Sequence, residues 1–269
     1  MSGRLPAQPQ TTGERGSAES ADQSRRPSNL IWVMPAQGVE STAFGCPRRW
    51  TRRGAVRVAV VLNGDSVPGD VAHVTGTDLV VAADGGANWL ARVGIRADLV
   101  VGDLDSIDAA LSAALQASGA TFERHPPDKD ASDGELALRA AWARGASQVV
   151  VVGGLGARLD HELTNLGLLA ANRPPGSDVR LVRGRTTVRL VRPGDPWLGS
   201  GVVGETVSLV PYPAARGVTT RGLRYPLRAE DLLVGTSRGL SNVVIEPPAT
   251  VSVEEGMLLA IEIAREEGS

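Results

Sequence analysis

Residues 78–106, DLVVAADGGANWLARVGIRADLVVGDLDS, contain the pattern that decides the fold class. Two apolar runs, at 78–86 and 98–106, each predict a strand, and the segment ANWLARVG between them predicts a helix that ends at Gly94. Both runs are almost continuously apolar, which is typical of strands buried on both faces of a parallel sheet. One aspartate stands near the end of the first run and two near the end of the second, and carboxylates are costly to bury without a partner.

The same alternation of strand and helix continues from Val56 to about residue 174. Further strands are predicted at VRVAVVLNG (56–64), TFERH (121–125) and QVVVVGG (148–154), and further helices at IDAALSAALQASG (107–119), SDGELALRAAWARG (132–145) and HELTNLGLLAAN (161–172). Ser132, with Glu135 three residues later, is placed as a helix N-cap. Repeated strand–helix units predict an α/β domain over residues 55–175 with a parallel sheet covered on both faces.

The remainder of the chain follows other patterns. After PPGSD (174–178), short alternating segments separated by Gly and Pro predict a smaller all-β domain over 176–269, either a sandwich or a barrel. Residues 1–54 are polar, rich in Pro and Ser and without a repeating period, so we interpret them as a disordered N-terminal extension.

Composition excludes several classes of protein. A formal net charge of −2 over 269 residues gives no basic surface for nucleic acid or for an anionic membrane. No apolar run approaches the roughly 20 residues of a spanning helix, which argues against an integral membrane protein. Cys46 is the single cysteine, so no intrachain disulfide can form, and we expect a cytoplasmic protein.

Four polar clusters follow the predicted strands. They are DGG (84–86), GDLDS (102–106), DKDASD (128–133) and GGLGARLDHELTN (153–165). Ligands of an open parallel sheet bind outside the carboxyl ends of its strands, so we expect these clusters to converge. Aspartates brought together repel one another unless a cation neutralises them, and oxygen ligands without His or Cys favour Mg²⁺ beside phosphate. Any one of these aspartates alone is better explained as a turn former or a helix cap, whereas four clusters at successive strand ends are better explained by a shared ligand.

Phosphate binding is a second expectation for the same edge. Glycine-rich turns that lead into a helix, as in GGLGAR, suit phosphate because they expose backbone N–H groups. Lys129 is the sole lysine and contacts either phosphate or solvent, and His161 is either a base, a nucleotide contact or a cap residue. The chain has no P-loop and no dinucleotide fingerprint after its first predicted strand.

Seven sequence blocks, taken in order, resemble those of the thiamine pyrophosphokinase (thiamine diphosphokinase) family. They are ADGGAN (83–88), GDLDSI (102–107), DKDASDGELAL (128–138), GGLGARLDHELTNLGLL (153–169), GLRYPL (222–227), SRGLSN (237–242) and V-x-V-x-x-G-x-x-L-x-I (251–261). The resemblance covers residues 56–263. It implies a Rossmann-like nucleotide-binding domain followed by a β-sandwich, in a homodimer that transfers the diphosphate of ATP to the hydroxyethyl group of thiamine and releases AMP.

The resemblance also implies roles for individual residues. It assigns Mg²⁺ binding to Asp103, Asp105 and Asp133, with Ser132 as a further ligand. Arg158 would bind the triphosphate. Asp160 would lie close to the reacting groups, where it is a candidate proton acceptor.

The remaining positions that match the family bind the two substrates. The residues implied around the nucleotide are Asp84, Asn88, Lys129, Ser132, Arg158 and His161. Tyr225, Ser241 and Asn242 would complete the thiamine pocket across the dimer interface. The chain departs from the family at Leu104, often Phe, at Tyr225, more often Trp, and at Val243, usually polar; these changes affect the thiamine contacts more than the metal site.

Two other functions remain as alternatives to the kinase. One is a nucleotide-binding module of the same fold without catalysis. The other is another Mg²⁺-dependent transferase with a D-x-D motif, such as a sugar-nucleotide glycosyltransferase, for which Asp103 and Asp105 alone would suffice.

Overall fold

The computed structural model describes residues 55–171 and 173–265. The predicted disordered extension at 1–54 lies outside the described residues. The fold is a mixed α/β structure built on one large sheet, whose strands pair along a continuous path.

The first half of the sheet is parallel, as the apolar runs predict. Its strands are β1 (Arg57–Val61), β2 (Leu79–Ala83), β3 (Leu99–Gly102), β4 (Thr121–Arg124), β5 (Gln148–Val152) and β6 (Asp178–Arg183). They lie side by side in the order β4-β3-β2-β1-β5-β6, and every neighbouring pair is parallel. β6 therefore belongs to the parallel half although it follows residue 175, the predicted end of the α/β domain.

Helices cover both faces of the parallel strands. They are α1 (Val71–Val74), α2 (Gly86–Arg92), α3 (Ala109–Ala117), α4 (Asp133–Ala143) and α5 (Leu159–Leu168). Residues of α1, α2 and α3 pack with Ala59 and Val61 of β1, whereas residues of α4 and α5 pack with Val58 and Val60 on the opposite face. Neither α1 nor the 3₁₀ turn Pro68–Asp70 before it is predicted from the sequence. None of the helices in the described ranges is long and apolar enough to cross a membrane.

Side-chain caps fix where the helices begin. The Ser132 hydroxyl accepts a hydrogen bond from the Glu135 backbone N–H at 3.2 Å, which confirms the predicted N-cap of α4. Asp108 caps α3 in the same way, accepting from the N–H groups of Ala110 and Leu111.

The second half of the sheet is antiparallel. Its strands are β7 (Thr186–Val191), β8 (Trp197–Leu198), β9 (Thr206–Arg221), β10 (Glu230–Leu232), β11 (Asn242–Val243), β12 (Thr250–Ser252) and β13 (Glu255–Ile263). β7 pairs with β6, and the path continues through β13, β9 and β12 to β8. These strands enclose a core of their own around Trp197, Leu209 and Leu258.

Candidate active site

A cavity of about 590 Å³ opens at the carboxyl edge of the parallel strands. It is lined by residues from the segments that follow β1, β2, β3, β4 and β5 and from the first turns of α4 and α5. β1 and β5 are neighbours in the sheet, yet the chain leaves them toward opposite sides. Such a switch in strand order is where open α/β sheets bind their ligands.

All four predicted polar clusters contribute to this cavity. The site residues that line it are Asp84, Asp103, Asp105, Lys129, Ser132, Asp133, Arg158 and His161. Asp160 lies two residues after Arg158 and forms an ion pair with it. Asp128 and Asp130, in the third cluster, do not line the cavity.

Glycine allows the backbones to approach closely around the cavity. A Cβ at Gly64, after β1, would lie 2.0 Å from the carbonyl oxygen of Gly153, after β5. No side chain fits at that distance, so the two loops can meet at the switch point only with glycine there.

Three aspartates converge on one point of the cavity. Asp84, Asp103 and Asp105 each place one carboxylate oxygen within 4.8 Å of the other two. Asp84 is only 5% exposed, and within the described residues its Oδ1 is buried without a hydrogen-bond partner. A buried carboxylate oxygen lacking a donor, next to two further carboxylates, fits a hard divalent cation such as Mg²⁺.

Lys129 supplies positive charge beside this cluster. Its Nζ lies 2.9 Å from Asp133 Oδ1 and 3.4 Å from Asp103 Oδ2. Burial acts to lower the pKa of Lys129, but the ion pairs with Asp133 and Asp103 outweigh it and raise the pKa above 10.5. Asp133 is therefore paired with Lys129, whereas Asp84 is the third aspartate of the cluster with Asp103 and Asp105.

The backbone N–H of Asp105 is the main cause of the low pKa of Asp103. It lies 3.4 Å from Asp103 Oδ1 and favours the ionised carboxylate. Partial burial opposes this effect, and the charge of Lys129 adds to it. Asp103 thus remains ionised and available as a ligand.

The loop that carries Asp103 and Asp105 has an unusual backbone. Gly102 has a φ of +144°, and a Cβ there would lie 3.0 Å from an Asp133 oxygen. Leu104 has a φ of +69° and packs against the core cluster that includes residues of α2 and α3. The apolar contact of Leu104 directs the flanking aspartates away from the core.

Asn88 fixes the same loop rather than lining the cavity. Its Nδ2 donates to the carbonyl oxygen of Ser106 at 2.8 Å, and its Oδ1 accepts from the N–H of Asp108 at 3.1 Å. Both ends of the amide are therefore committed to the segment after Asp105.

Arg158 and Asp160 form a bidentate ion pair at the start of α5. The Arg158 Nε and Nη2 atoms lie 3.2 and 2.6 Å from the two Asp160 oxygens, and both side chains are exposed. The hydrogen bonds from Arg158 lower the pKa of Asp160 to about 2. While paired, Asp160 is a weak proton acceptor.

Two asparagines, Asn63 and Asn165, also line the cavity, although neither was predicted from the sequence as a site residue. Asn165 Nδ2 donates to the carbonyl oxygen of Gly154 at 3.1 Å and so supports the loop after β5. Asn63 lies two residues after the end of β1, so its position after a strand could have identified it as it did the aspartates.

The predicted thiamine residues form a separate group in the antiparallel half, and none of them lines this cavity. Tyr225 is 52% exposed, whereas Asn242 is 4% exposed. Asn242 Oδ1 accepts from the Tyr225 N–H at 2.9 Å, and its Nδ2 donates to the Tyr225 carbonyl at 2.7 Å. Ser241 has a φ of +54° and donates its N–H to Ser208.

In comparisons with known proteins, two different family models match the part of the chain that forms the cavity and the part that carries Tyr225, Ser241 and Asn242. The family model for the thiamin pyrophosphokinase catalytic domain matches residues 72–181, and the model for the thiamin pyrophosphokinase vitamin B1 binding domain matches residues 198–258. The thiamine pyrophosphokinase of Bacillus subtilis is 26% identical over 184 residues, which cover 68% of this chain and 86% of the relative.

Solved structures show the same fold. The thiamine pyrophosphokinase structure from Bacillus subtilis matches with a TM-score of 0.68 at 23% identity, covering 77% of this chain and 99% of that one. A thiamin pyrophosphokinase family protein from Enterococcus faecalis matches with a TM-score of 0.65 at 26% identity, covering 78% and 100%. Since the two family models together match more than half of the sequence, the chain belongs to the thiamine pyrophosphokinase family.

Proposed function

We propose that the protein transfers the diphosphate of ATP to the hydroxyl of the hydroxyethyl group of thiamine, giving thiamine diphosphate and AMP. The observation that carries this proposal is the convergence of Asp84, Asp103 and Asp105 beside Lys129 in one cavity at the switch point of the sheet. Membership of the family supplies the reaction, and the cavity supplies groups suited to phosphoryl transfer.

Asp103 and Asp105 would hold Mg²⁺, together with Asp84 or Asp133. When bound, the ion neutralises charge on the phosphates and polarises the phosphorus under attack. The unpaired Oδ1 of Asp84 favours that residue as a ligand, and Asp133 becomes available once Lys129 turns toward phosphate.

Lys129, Arg158 and the first N–H groups of α5 would bind the phosphate oxygens. An arginine binds phosphate with the same two-pronged geometry that it uses with Asp160 here. If Arg158 turns to the triphosphate, Asp160 loses the partner that holds its pKa at about 2. Its pKa then rises, and the carboxylate can accept the proton of the thiamine hydroxyl.

We further propose that the chain works as a homodimer with the thiamine site at the interface. Residues 55–175 would form the Rossmann-like ATP-binding domain and residues 176–269 the β-sandwich for thiamine binding and dimerisation. Because Tyr225 does not line the cavity of its own chain, a partner subunit would supply Tyr225, Ser241 and Asn242. The exposed Leu159 and Leu163, 68% and 56% exposed on α5 beside the cavity, offer apolar surface for such contact. We place the enzyme in the cytoplasm and expect neither nucleic acid nor membrane as a partner.

Product analysis tests the proposed reaction. The protein is incubated with ATP and Mg²⁺, with and without thiamine, and AMP formed only with thiamine is the expected result. Asp103→Asn should abolish turnover while the circular dichroism spectrum is retained, and Asp130→Asn, an exposed aspartate outside the cavity, is the matched control. ATP bound but never consumed would favour the binding module, and consumption of a UDP-sugar would favour the glycosyltransferase.

A further inference from the structure

An ion pair spans the glycine-rich loop that leads from β5 to α5. Arg183 is the last residue of β6, and Asp65 lies in the loop after β1, on the other side of β5 in the sheet. Arg183 Nη2 donates to Asp65 Oδ2 at 2.5 Å. Neither side chain lines the cavity, so the pair lies outside the groups that would contact substrate.

Gly156 lies directly against the Arg183 side chain. A Cβ at Gly156 would be 2.5 Å from Arg183 Nε and 2.8 Å from Cζ, and the φ of Gly156 is +87°. The guanidinium therefore rests on the backbone of the loop at a position where only glycine leaves room for it. Two residues later the same loop reaches Arg158.

A second set of contacts ties the same two segments together. The buried carboxylate of Asp70 accepts hydrogen bonds from the N–H of Val67 at 2.8 Å and from the N–H of Gly184 at 2.6 Å. His73 Nε2 lies 3.1 Å from the carbonyl oxygen of Gly184. The segment after β1 and the turn after β6 are thus held as a frame on either side of the glycine loop.

The loop is rich in glycine, and its first half is held by the buried Leu155 and by the hydrogen bond from Asn165 to Gly154. Gly153, Gly154 and Gly156 all lie within residues 153–158, and glycine has the largest conformational freedom to lose when a loop is ordered. A loop that samples many conformations binds its ligand more weakly, because ordering costs free energy at the moment of binding.

We propose that Arg183 and Asp65 are positioning residues that hold the 153–158 loop in the conformation that presents Arg158 and the loop N–H groups to the triphosphate of ATP. This inference rests on the proposed function for the identity of the ligand. It assigns a role to two residues that lie outside the seven blocks of the family resemblance.

Calorimetric titration with ATP and hydrogen exchange test the inference. The variants are Asp65→Asn, Arg183→Ala and the double variant, with Asp65→Glu as the conservative replacement. Arg96 and Asp98, an ion pair of similar exposure at the start of β3, give the matched control variants Arg96→Ala and Asp98→Asn. Melting temperatures show whether each variant folds. If Arg183→Ala does not fold, the milder substitution Asp65→Asn still tests the ion pair.

We expect each single variant to raise the Kd for ATP by about fivefold, which is the range that a partly exposed ion pair can supply. The Kd of the double variant should be close to that of the single variants, because both substitutions remove the same interaction. Backbone amides of residues 153–158 should exchange faster, the KM for ATP should rise, and kcat and the KM for thiamine should change less. Asp65→Glu should restore ATP binding, and the Arg96 and Asp98 variants should leave it unchanged.

Two results would overturn the inference: additive effects of Asp65→Asn and Arg183→Ala, or unaltered exchange of the 153–158 amides in both. The failure of the proposed function would be visible separately, as wild-type protein that forms no AMP from ATP and thiamine. Even then the exchange measurement, which needs no ligand, decides whether the ion pair holds the loop.

Discussion

Replacing Lys129 with alanine should destabilise the ligand-free protein and strengthen its binding of Mg²⁺. The Lys129 side chain is 14% exposed, and its partners Asp103 and Asp133 are 14% and 30% exposed. Without the ammonium group, mutually repelling carboxylates in this partly buried cluster lose their counter-charge. The same ammonium competes with a divalent cation for Asp103, so its removal favours the metal.

The magnitude follows from the burial of the pair. Exposed ion pairs contribute up to about 1 kcal/mol, and removal of one partner of a fully buried pair costs about 3–5 kcal/mol. A largely but not fully buried pair lies between these limits, so we expect a loss of about 2 kcal/mol, which lowers the melting temperature by about 4–8 °C for a chain of this size. Because the pKa of Lys129 is raised above 10.5, its contribution is complete below that pH and is lost only as pH rises through the higher folded-state value.

Thermal melts in EDTA and in increasing concentrations of MgCl₂ check this prediction. Lys129→Ala should melt below wild type in EDTA, and Mg²⁺ should stabilise it at lower concentrations than wild type. Arg139→Ala is the control, since Arg139 pairs with Glu135 but is 63% exposed and does not line the cavity. Equal melting temperatures in EDTA, together with an unchanged Mg²⁺ midpoint, would refute the view that Lys129 is the counter-charge of the cluster.

Three further predictions concern other parts of the molecule. Gly102→Ala should destabilise the protein by about 2 kcal/mol in chemical unfolding, because φ is +144° and the new Cβ would lie 3.0 Å from a carboxylate oxygen. Arg158→Ala should raise the pKa of Asp160 from about 2 toward 3.8, as measured by NMR titration of the carboxyl carbon. In the wild type this ion pair stabilises the fold at pH values above 3.8, and the stabilisation is lost as the pH falls through about 2. Asn242→Ala should cost about 2 kcal/mol, because it leaves the backbone polar groups of Tyr225 without their partner, and should raise the KM for thiamine but not for ATP.

The sequence predicted most of the elements that form the cavity. β2, β3 and β5 lie within the apolar runs assigned to them, and α4 begins after Ser132 as its capping pattern indicates. These features depend on residues close together in the chain, whose spacing and caps are visible in the sequence. The short helix α1 has too few residues for a helical period and was missed.

Partners of single polar side chains were harder to predict. The structure groups Asp84 with Asp103 and Asp105, whereas Asp133 pairs with Lys129. All of these aspartates follow strands or begin helices, so the strand-end rule treats them alike. Which of them meet depends on distances across the sheet of a few ångströms, which no sequence period encodes.

The sequence by itself determined that strands of this chain alternate with helices and that their carboxyl ends carry aspartates, glycines and a single lysine. Hydrophobic periodicity and turn-forming residues are local features, so they can be recognised from the sequence without a structure. Only the tertiary structure decided that Asn88 and Asn242 bond to backbone, and that Arg183 reaches Asp65 across 118 residues of sequence to rest on Gly156. Those contacts depend on how β1, β5 and β6 are ordered in the sheet, because strand order brings together side chains whose separation along the chain carries no signal.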